Sequence, residues 1–261
     1  MSALRNIARE VRDGWQLGLG FPLRHLSRVL GRKVHVTKVK GAGTVHLRTG
    51  SSDAEVFVQI FRRKEYEIAG PQLERILKSY QRILDANELP IIIDAGANVG
   101  AASIWFARKF PRACIVAVEP ESENAEMWRL NTRSLPNVKL IEAAIGSESG
   151  SVSLTNPANE AWAVRTLRSD DGGIAVRTIS QIVQEIPQPS RLFLVKIDIE
   201  GFEDDLFANN VEWLNDVEAV IIEPHDWLFP GGGKSRNFQM AMANHNFEIL
   251  ISGENLVYVK L

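Results

Sequence analysis

The chain of 261 residues contains a single cysteine, Cys114. One cysteine excludes an internal disulfide and cannot by itself form a cysteine-rich zinc site. Long apolar runs are missing too: none approaches the roughly 20 residues that cross a bilayer, and the opening MSALRNIARE lacks the apolar stretch of a signal peptide. We therefore expect a soluble, cytoplasmic protein without a transmembrane segment. Because 45% of the residues are hydrophobic and 24% are charged, the disordered and fibrous classes are excluded as well.

Charge is distributed unevenly along the chain. Residues 1–40 carry nine Lys or Arg against two acids, or +7, so a net charge of -2 leaves -9 for the remainder. Leu4, Ile7, Val11 and Trp15 fall at helical spacing and predict a short amphipathic helix with a basic face. That face either is solvated and packs on its own domain, or makes peripheral contact with an anionic surface. The acidic remainder argues against nucleic acid, whose phosphates require a basic track.

Two sequence patterns meet near residue 88. Before it, short alternating runs at 34–39, 45–47 and 56–61 predict an antiparallel β-meander, and residues 71–87 predict an amphipathic helix with Pro71 in its first turn. After it, apolar runs alternate with helical stretches. We therefore expect an N-terminal unit, residues 1–88, built from a basic helical segment, a β-meander and a connecting helix, and a larger domain over residues 89–261.

The larger domain has the pattern of an α/β doubly wound, mostly parallel sheet. Runs such as IIID and AVIIEP are apolar at every position, as in strands that are covered on both faces. The last two runs are joined by Gly253-Glu254-Asn255 and predict an antiparallel C-terminal hairpin. Strands are predicted at 91–93, 114–118, 138–144, 192–197, 217–222, 247–251 and 256–259, and helices at 103–110, 125–135, 207–214 and 239–243.

Ligands of open α/β sheets bind at the carboxyl ends of the strands. The turn DAGANVG follows the first strand of this domain, and Gly96 and Gly100 allow the backbone to approach a ligand closely, although a tight turn without a ligand is the alternative. Glu119 ends the next strand, 23 residues beyond Gly96. A carboxylate there can accept the ribose hydroxyls of a nucleoside cofactor.

The glycine turn distinguishes two such cofactors. An NAD turn has glycine at the first, third and sixth positions of G-x-G-x-x-G, and these positions are Gly96, Asn98 and Ala101 here. A wider turn with Asn98, and no pyrophosphate to hold, favours the amino-acid end of S-adenosylmethionine. An NAD-dependent sugar-modifying oxidoreductase and a non-catalytic cofactor-binding scaffold remain open alternatives.

Titratable side chains follow two later strands. Asp198, Glu200 and Glu203 come after the fourth strand, and Glu223 and His225 come after the fifth. We expect Asp198 in the site and Glu203 to be an ordinary helix-start acid that interacts with the helix dipole. Of the five histidines, His225 alone lies at a strand end of this kind.

Five stretches of the chain resemble one protein family. DAGANVG, VEP, LNTRSLPNVKLIEAAIG and LVKIDIEGFE resemble the FkbM-type S-adenosylmethionine-dependent methyltransferases, and LRTGSSDAEVFVQIFRRKEY resembles a stretch upstream in that family. The resemblance covers residues 44–227. It implies a Rossmann-like class I methyltransferase fold for residues 89–261. It also implies a cofactor site made of Glu65, Tyr66, Asp94, Gly96, Asn98, Gly100, Glu119, Ala143 and Ala144.

The resemblance further implies transfer of a methyl group from S-adenosylmethionine to a hydroxyl of a sugar, a glycan or a secondary metabolite. Such an acceptor benefits from a base, and a near-neutral imidazole is suited to that role. We expect His225 to take the hydroxyl proton, with Asp198 or Glu223 orienting the imidazole. Together with Glu200 these residues also have the ligand types for a divalent ion. Carboxylates at strand ends are common without one, so no metal site is predicted.

Overall fold

The structure is a computed structural model in which residues 14–18, 20, 23–155, 165–169 and 171–261 are described. Residues 14–17 are helical, and the rest of the predicted basic helix lies outside the described residues. That helix and its peripheral contact stay predictions. None of the helices in the described part of the chain has the length and the apolar character needed to cross a membrane.

The N-terminal unit contains a hairpin followed by helices. Its first elements are α1 (Arg24–Val29), β1 (Val34–Val39), β2 (Gly43–Arg48), α2 (Asp53–Phe57), which continues as a π-helix (Val58–Arg63), and α3 (Gly70–Asp85). Strands β1 and β2 pair antiparallel, so two runs of the predicted meander are confirmed. Helix α3 is confirmed as well, with proline in its first turn.

The third strand of the predicted meander is wrong, because residues 56–61 lie in α2 and the π-helix. Their sequence alternates, but Ala54, Phe57, Val58 and Phe61 also fall at i, i+3, i+4 and i+7. The rings of Phe57 and Phe61 stack with their centroids 5.9 Å apart, one helical turn from each other. This apolar stripe packs into the core, and the segment therefore forms a helix instead of a strand.

The larger domain carries two sheets. Its strands are β3 (Leu89–Ala95), β4 (Cys114–Val118), β5 (Val138–Ile141), β6 (Ala144–Ile145), β7 (Gly150–Thr155), β8 (Arg165–Arg168), β9 (Ile174–Arg177), β10 (Ser190–Ile197), β11 (Ala219–Ile222), β12 (Phe247–Ser252) and β13 (Asn255–Lys260). Its helices are α4 (Ala101–Lys109), α5 (Ser122–Thr132), α6 (Ile179–Gln184), α7 (Glu203–Leu206) and α8 (Arg236–Ala243).

The main sheet has the strand order β12-β13-β11-β10-β3-β4-β5. Strands β5, β4, β3, β10 and β11 pair in parallel, and β13 runs antiparallel to both β11 and β12. This order confirms the doubly wound sheet and the antiparallel C-terminal hairpin. The chain proceeds from β3 toward β5 on one side and from β10 toward β12 on the other. The strand order therefore reverses between β3 and β10, which is where such sheets bind ligands.

The second sheet was not predicted, and one helix was predicted at the wrong place. Strands β6, β9, β7 and β8 form a separate four-stranded sheet. They come from the part of the chain that follows β5 and precedes β10, and that part is too polar to predict as strands. The predicted helix over 207–214 is wrong. Helix α7 ends at Leu206, Asn210 adopts a left-handed φ of 53°, and a separate 3-10 turn covers Glu212–Asn215. A left-handed residue cannot continue an α-helix.

One apolar core contains residues from both units. It joins Val45 of the hairpin and Ile76 of α3 to Ile92 of the sheet and Phe106 of α4. Polar contacts also connect the units, since the backbone N–H of His46 donates to Asn131 Oδ1 at 2.7 Å. The division of the chain at residue 88 stays a prediction.

Candidate active site

The turn after β3 is shaped by its contact with the turn after β10. Gly96 has a φ of +74°, and a Cβ at this position would lie 1.7 Å from the carbonyl oxygen of Asp198. Glycine is therefore required there by the neighbouring backbone. Gly100 has a φ of +89° directly before α4, and a Cβ there would lie 3.0 Å from Trp128 Cδ1. The two glycines bring the backbone of residue 98 to the end of β4.

Glu119 is held in place by N–H donors. Its Oε2 accepts the backbone N–H of Asn98 at 2.7 Å, and its Oε1 accepts the backbone N–H of Glu121 at 3.0 Å. Asn124 Nδ2 lies 3.4 Å from Oε1. The side chain is buried, and burial raises the pKa of Glu119 to about 7 although these hydrogen bonds favour the carboxylate.

A cavity of about 630 Å³, including its opening to solvent, lies beside this carboxylate. Five of the nine predicted cofactor residues line it: Gly96, Asn98, Glu119, Ala143 and Ala144. The small side chains of Ala143 and Ala144 and the ring of Phe202 form an apolar part of the lining. The cavity therefore combines apolar side chains with a buried carboxylate, and these are the groups that a purine and ribose hydroxyls would need.

Asp94 lies outside this cavity lining and is fully buried. Its Oδ2 accepts the hydroxyl of Ser103 at 2.6 Å, and its Oδ1 lies 3.2 Å from Lys196 Nζ. Lys196 in turn donates to the carbonyl oxygen of Gly96 at 2.7 Å. Burial alone would lower the pKa of Lys196, but the surrounding groups, with Asp94 first among them, together outweigh burial and raise this pKa. In this structure Asp94 thus positions the glycine turn through a lysine that the sequence analysis did not single out.

A second cavity, of about 1190 Å³ by the same measure, adjoins the first. Glu65 and Tyr66 line it, and it shares Gly96, Asn98, Asp198 and Glu200 with the first cavity. The Tyr66 ring is buried and stacks on Phe106 with centroids 5.5 Å apart. Burial raises the pKa of Glu65. These two predicted residues therefore line the second cavity and not the one that Glu119 lines.

Four carboxylates surround one imidazole in the wall of the second cavity. We call Asp198, Glu200, Glu203, Glu223 and His225 the acid–imidazole cluster. Nε2 of His225 lies 3.6 Å from Asp198 Oδ1, 3.6 Å from Glu200 Oε2 and 3.8 Å from Glu223 Oε1. The structure therefore brings together all three predicted catalytic residues.

The orienting partner of His225 differs from the prediction. Nδ1 of His225 lies 2.9 Å from Glu203 Oε1, and both side chains are 2% exposed. Glu203 thus orients the imidazole, and neither Asp198 nor Glu223 contacts Nδ1. Glu203 is the first residue of α7, as expected of a helix-start acid. The left-handed φ angles of Glu200 (53°) and Gly201 (+92°) also turn the chain so that its carboxylate contacts the imidazole.

The expectation of a near-neutral imidazole is not met. Burial alone would lower the pKa of His225, but the hydrogen bond to Glu203 and the charge of Asp198 raise it to about 10. Burial and the charge of Asp198 raise the pKa of Glu200 to about 8 and that of Glu223 to about 7. Protons in such a cluster belong to the coupled groups together rather than to one residue.

These features can be compared with known proteins. A model of the family described as Methyltransferase FkbM domain matches residues 94–249. The chain belongs to the FkbM methyltransferase family. This confirms the resemblance and favours S-adenosylmethionine, the methyl donor of that family, over NAD. The FkbM match includes every predicted site residue except Glu65 and Tyr66.

Three curated relatives of this FkbM-family chain can be named. "Methyltransferase 1" of Beauveria bassiana is 27% identical over 51% of this chain and 63% of its own length. The hexuronic acid methyltransferase AglP of Haloferax volcanii is 26% identical over 56% of this chain and 60% of its own. The 2-O-methyltransferase NoeI of Sinorhizobium fredii is 26% identical over 58% of this chain and 70% of its own. The chain thus spans less than two thirds of the first two relatives.

Proposed function

We propose that this chain is an S-adenosylmethionine-dependent methyltransferase that methylates a hydroxyl group of a sugar, a glycan or a secondary metabolite. The observation that carries the proposal is the pair of adjoining cavities that share Asn98, Asp198 and Glu200. One has the lining that a nucleoside cofactor requires, and the other is lined by carboxylates and an imidazole that suit a hydroxylated acceptor. The names of two relatives, a hexuronic acid methyltransferase and a 2-O-methyltransferase, support an acceptor of this class.

The cofactor residues have distinct roles in this proposal. Glu119 accepts hydrogen bonds from the ribose hydroxyls, and Ala143 and Ala144 flank the adenine. Asn98, between Gly96 and Gly100, holds the methionine end, while Asp94 fixes that turn through Lys196. Glu65 and Tyr66 close the opposite side of the shared wall. Bound S-adenosylmethionine would supply an activated methyl group at the junction of the two cavities.

The acceptor residues position the hydroxyl and remove its proton. Asp198, Glu223 and His225 contact the hydroxyl group, and Glu203 fixes the ring of His225. The acceptor oxygen forms a bond to the methyl carbon, the bond from that carbon to sulfur breaks, and its electron pair stays on sulfur. The acid–imidazole cluster takes up the hydroxyl proton. Holding both reactants in line contributes about 7 to 11 kcal/mol to such a reaction, so positioning is the main task of these residues.

The proposal is tested by calorimetric titration of the purified chain with S-adenosylmethionine, S-adenosylhomocysteine and NAD. We expect the first two to bind at one site and NAD to show no binding, because the turn at residue 98 has no cradle for a pyrophosphate. Binding of NAD alone would instead support an oxidoreductase, and binding of none of the three would contradict the proposal. A screen of sugars and glycans with labelled S-adenosylmethionine then identifies the acceptor.

Cofactor binding should depend on pH through Glu119. Only the carboxylate can accept both ribose hydroxyls, and the protein holds the pKa of this group at about 7. Below pH 7 the free protein must lose a proton before it binds the cofactor. The Kd should therefore rise by up to about tenfold for each unit by which the pH falls below 7. Titrations with S-adenosylhomocysteine between pH 5.5 and 8.5 measure this slope. The variant Glu119→Gln should have a flat profile, and an equal slope in both proteins would assign the proton to another group.

A further inference from the structure

Two carboxylates and one imidazole of the acid–imidazole cluster come from two different turns of the chain. Asp198 and Glu200 follow β10, and His225 follows β11. Each offers one ligand atom, and these atoms all lie within 4.8 Å of one another. An ion with bonds of about 2.1 to 2.2 Å holds neighbouring ligand atoms about 3 Å apart and opposite ones about 4.3 Å apart. The three side chains therefore need only small adjustments to bind one ion.

His225 is oriented as metal-binding histidines are. Its Nδ1 is engaged by the buried carboxylate of Glu203, and this hydrogen bond fixes the ring so that Nε2 points into the cluster. Nε2 makes no hydrogen bond to any of the described residues, although the side chain is only 2% exposed. Its neighbours there are the carboxylate oxygens of Asp198, Glu200 and Glu223 at 3.6 to 3.8 Å, which is longer than a hydrogen bond. A carboxylate behind the far nitrogen is the usual support for a metal-bound imidazole.

The negative charge of the cluster also favours the binding of a cation. When ionised, Asp198, Glu200, Glu203 and Glu223 surround a single imidazole. The nearby Lys196 is already engaged, because its Nζ pairs with Asp94 at 3.2 Å and donates to two backbone carbonyls. Its distance to Asp198 Oδ2 is 3.6 Å. A divalent ion would compensate the carboxylates that these side chains leave unbalanced.

We propose that Asp198, Glu200 and His225 bind a divalent metal ion at the junction of the two cavities, and that this ion contacts the acceptor hydroxyl. Two carboxylates and one imidazole suit a divalent transition-metal ion such as Mn²⁺ better than Mg²⁺, which prefers oxygen ligands, and the remaining positions are open to water or to oxygens of the acceptor. The binding of the ion does not depend on the function proposed above, but its role does. With the ion bound, His225 acts on the acceptor hydroxyl through the ion instead of by direct contact.

That role follows from what lies around the three ligands. Asp198 and Glu200 line both cavities, so an ion between them lies beside the cofactor and the acceptor. A hydroxyl that contacts the ion loses its proton more easily, and Glu223 lies outside the ligand trio and beside it. The proton passes to Glu223 as the oxygen attacks the methyl carbon, and the bonding pair stays on sulfur. Adjacent hydroxyls of a sugar could contact the same ion in pairs, which favours a diol as acceptor.

The test is titration of the chelator-treated full chain with Mn²⁺, followed by electron paramagnetic resonance of the free ion. We expect one bound equivalent, and a Kd that rises about tenfold or more in Glu200→Gln and in His225→Asn. Glu200 is 31% exposed, so its replacement by an isosteric amide preserves the fold. The matched control is Glu55→Gln, because Glu55 is an exposed acid that lines the same cavity outside the cluster. Its Kd for Mn²⁺ should equal that of the parent.

Absence of saturable Mn²⁺ binding would overturn the metal site, and so would equal affinities in the parent and in both cluster variants. Each protein is also titrated with S-adenosylhomocysteine. Binding of that ligand without Mn²⁺ binding rejects the metal site and leaves the proposed function standing. Mn²⁺ binding that is lost in the cluster variants, in a chain that does not bind S-adenosylhomocysteine, supports the metal site and rejects the proposed function.

Discussion

Replacing Glu119 with Ala should weaken the binding of S-adenosylmethionine by at least about 100-fold. The change removes the acceptor of two hydrogen bonds from the ribose hydroxyls, and hydrogen bonds to a charged group contribute about 1.5 to 3 kcal/mol each. It also leaves the backbone N–H groups of Asn98 and Glu121 without their acceptor, so the turn before α4 loses its anchor. Calorimetric titration at pH 8, where the parent carboxylate is ionised, measures the effect.

Two controls separate recognition of the ribose from damage to the turn. Glu119→Gln keeps an oxygen acceptor and should have an intermediate Kd. Glu126→Ala changes an exposed acid on the neighbouring helix α5 and should bind like the parent. Thermal unfolding of each variant reports whether the fold is preserved. A Kd for the alanine variant within threefold of the parent value would mean that the ribose does not contact Glu119.

Replacing Gly96 with Ala should destabilise the whole protein. The new Cβ would meet the carbonyl oxygen of Asp198 at 1.7 Å, and the φ of +74° is itself unfavourable for alanine. Because backbone cannot move aside as a flexible side chain can, β3 and β10 must separate at their carboxyl ends. We expect a loss of about 4 kcal/mol in the free energy of unfolding and a Tm lower by about 10 °C. Thermal and denaturant unfolding measure both quantities.

Gly231 provides the matched control for this substitution. Its φ of +80° is close to that of Gly96, but nothing lies within 4 Å of the position where a Cβ would be added. Gly231→Ala therefore introduces the backbone strain alone and should cost about 1 kcal/mol. The difference between the two variants measures the contact between the turns. If both variants unfold at the same temperature, the turns after β3 and β10 do not touch in solution as they do in this structure.

The sheet was predictable because its strands are covered on both faces and therefore read as continuous apolar runs, such as IIID. The helical structure of residues 56–61 was not predictable, because these residues fit both the two-residue period of a strand and the 3.6-residue period of a helix. Local spacing alone could not decide between them, and the packing of Phe57 and Phe61 in the tertiary core did. The second sheet was missed for a related reason: its short strands are partly exposed and lack an apolar pattern.

The site was predictable wherever a residue lies at a strand end, since parallel strands bring their carboxyl ends to one edge. This rule located Glu119, Asp198, Glu223 and His225. It could not find the role of Glu203, because that carboxylate reaches His225 only through a left-handed turn that begins three residues after the strand. Lys196 could have been noticed in the sequence, because it is the single charged residue in the apolar run LFLVKI. Only the structure shows that its ammonium group lies between two turns.

The position of Lys196 connects the walls of the two cavities through one charge. Its ammonium group contacts the carbonyl oxygen of Gly96 on the cofactor side and Asp198 on the acceptor side. Any ligand that draws Asp198 toward itself changes the electrostatic field at the glycine turn, and the reverse holds for the cofactor. Coupling of this kind is reciprocal, so any change in affinity that occupancy of one cavity causes at the other is matched by the same factor in the reverse direction. One buried ammonium group can thus link the loading of donor and acceptor without a moving domain.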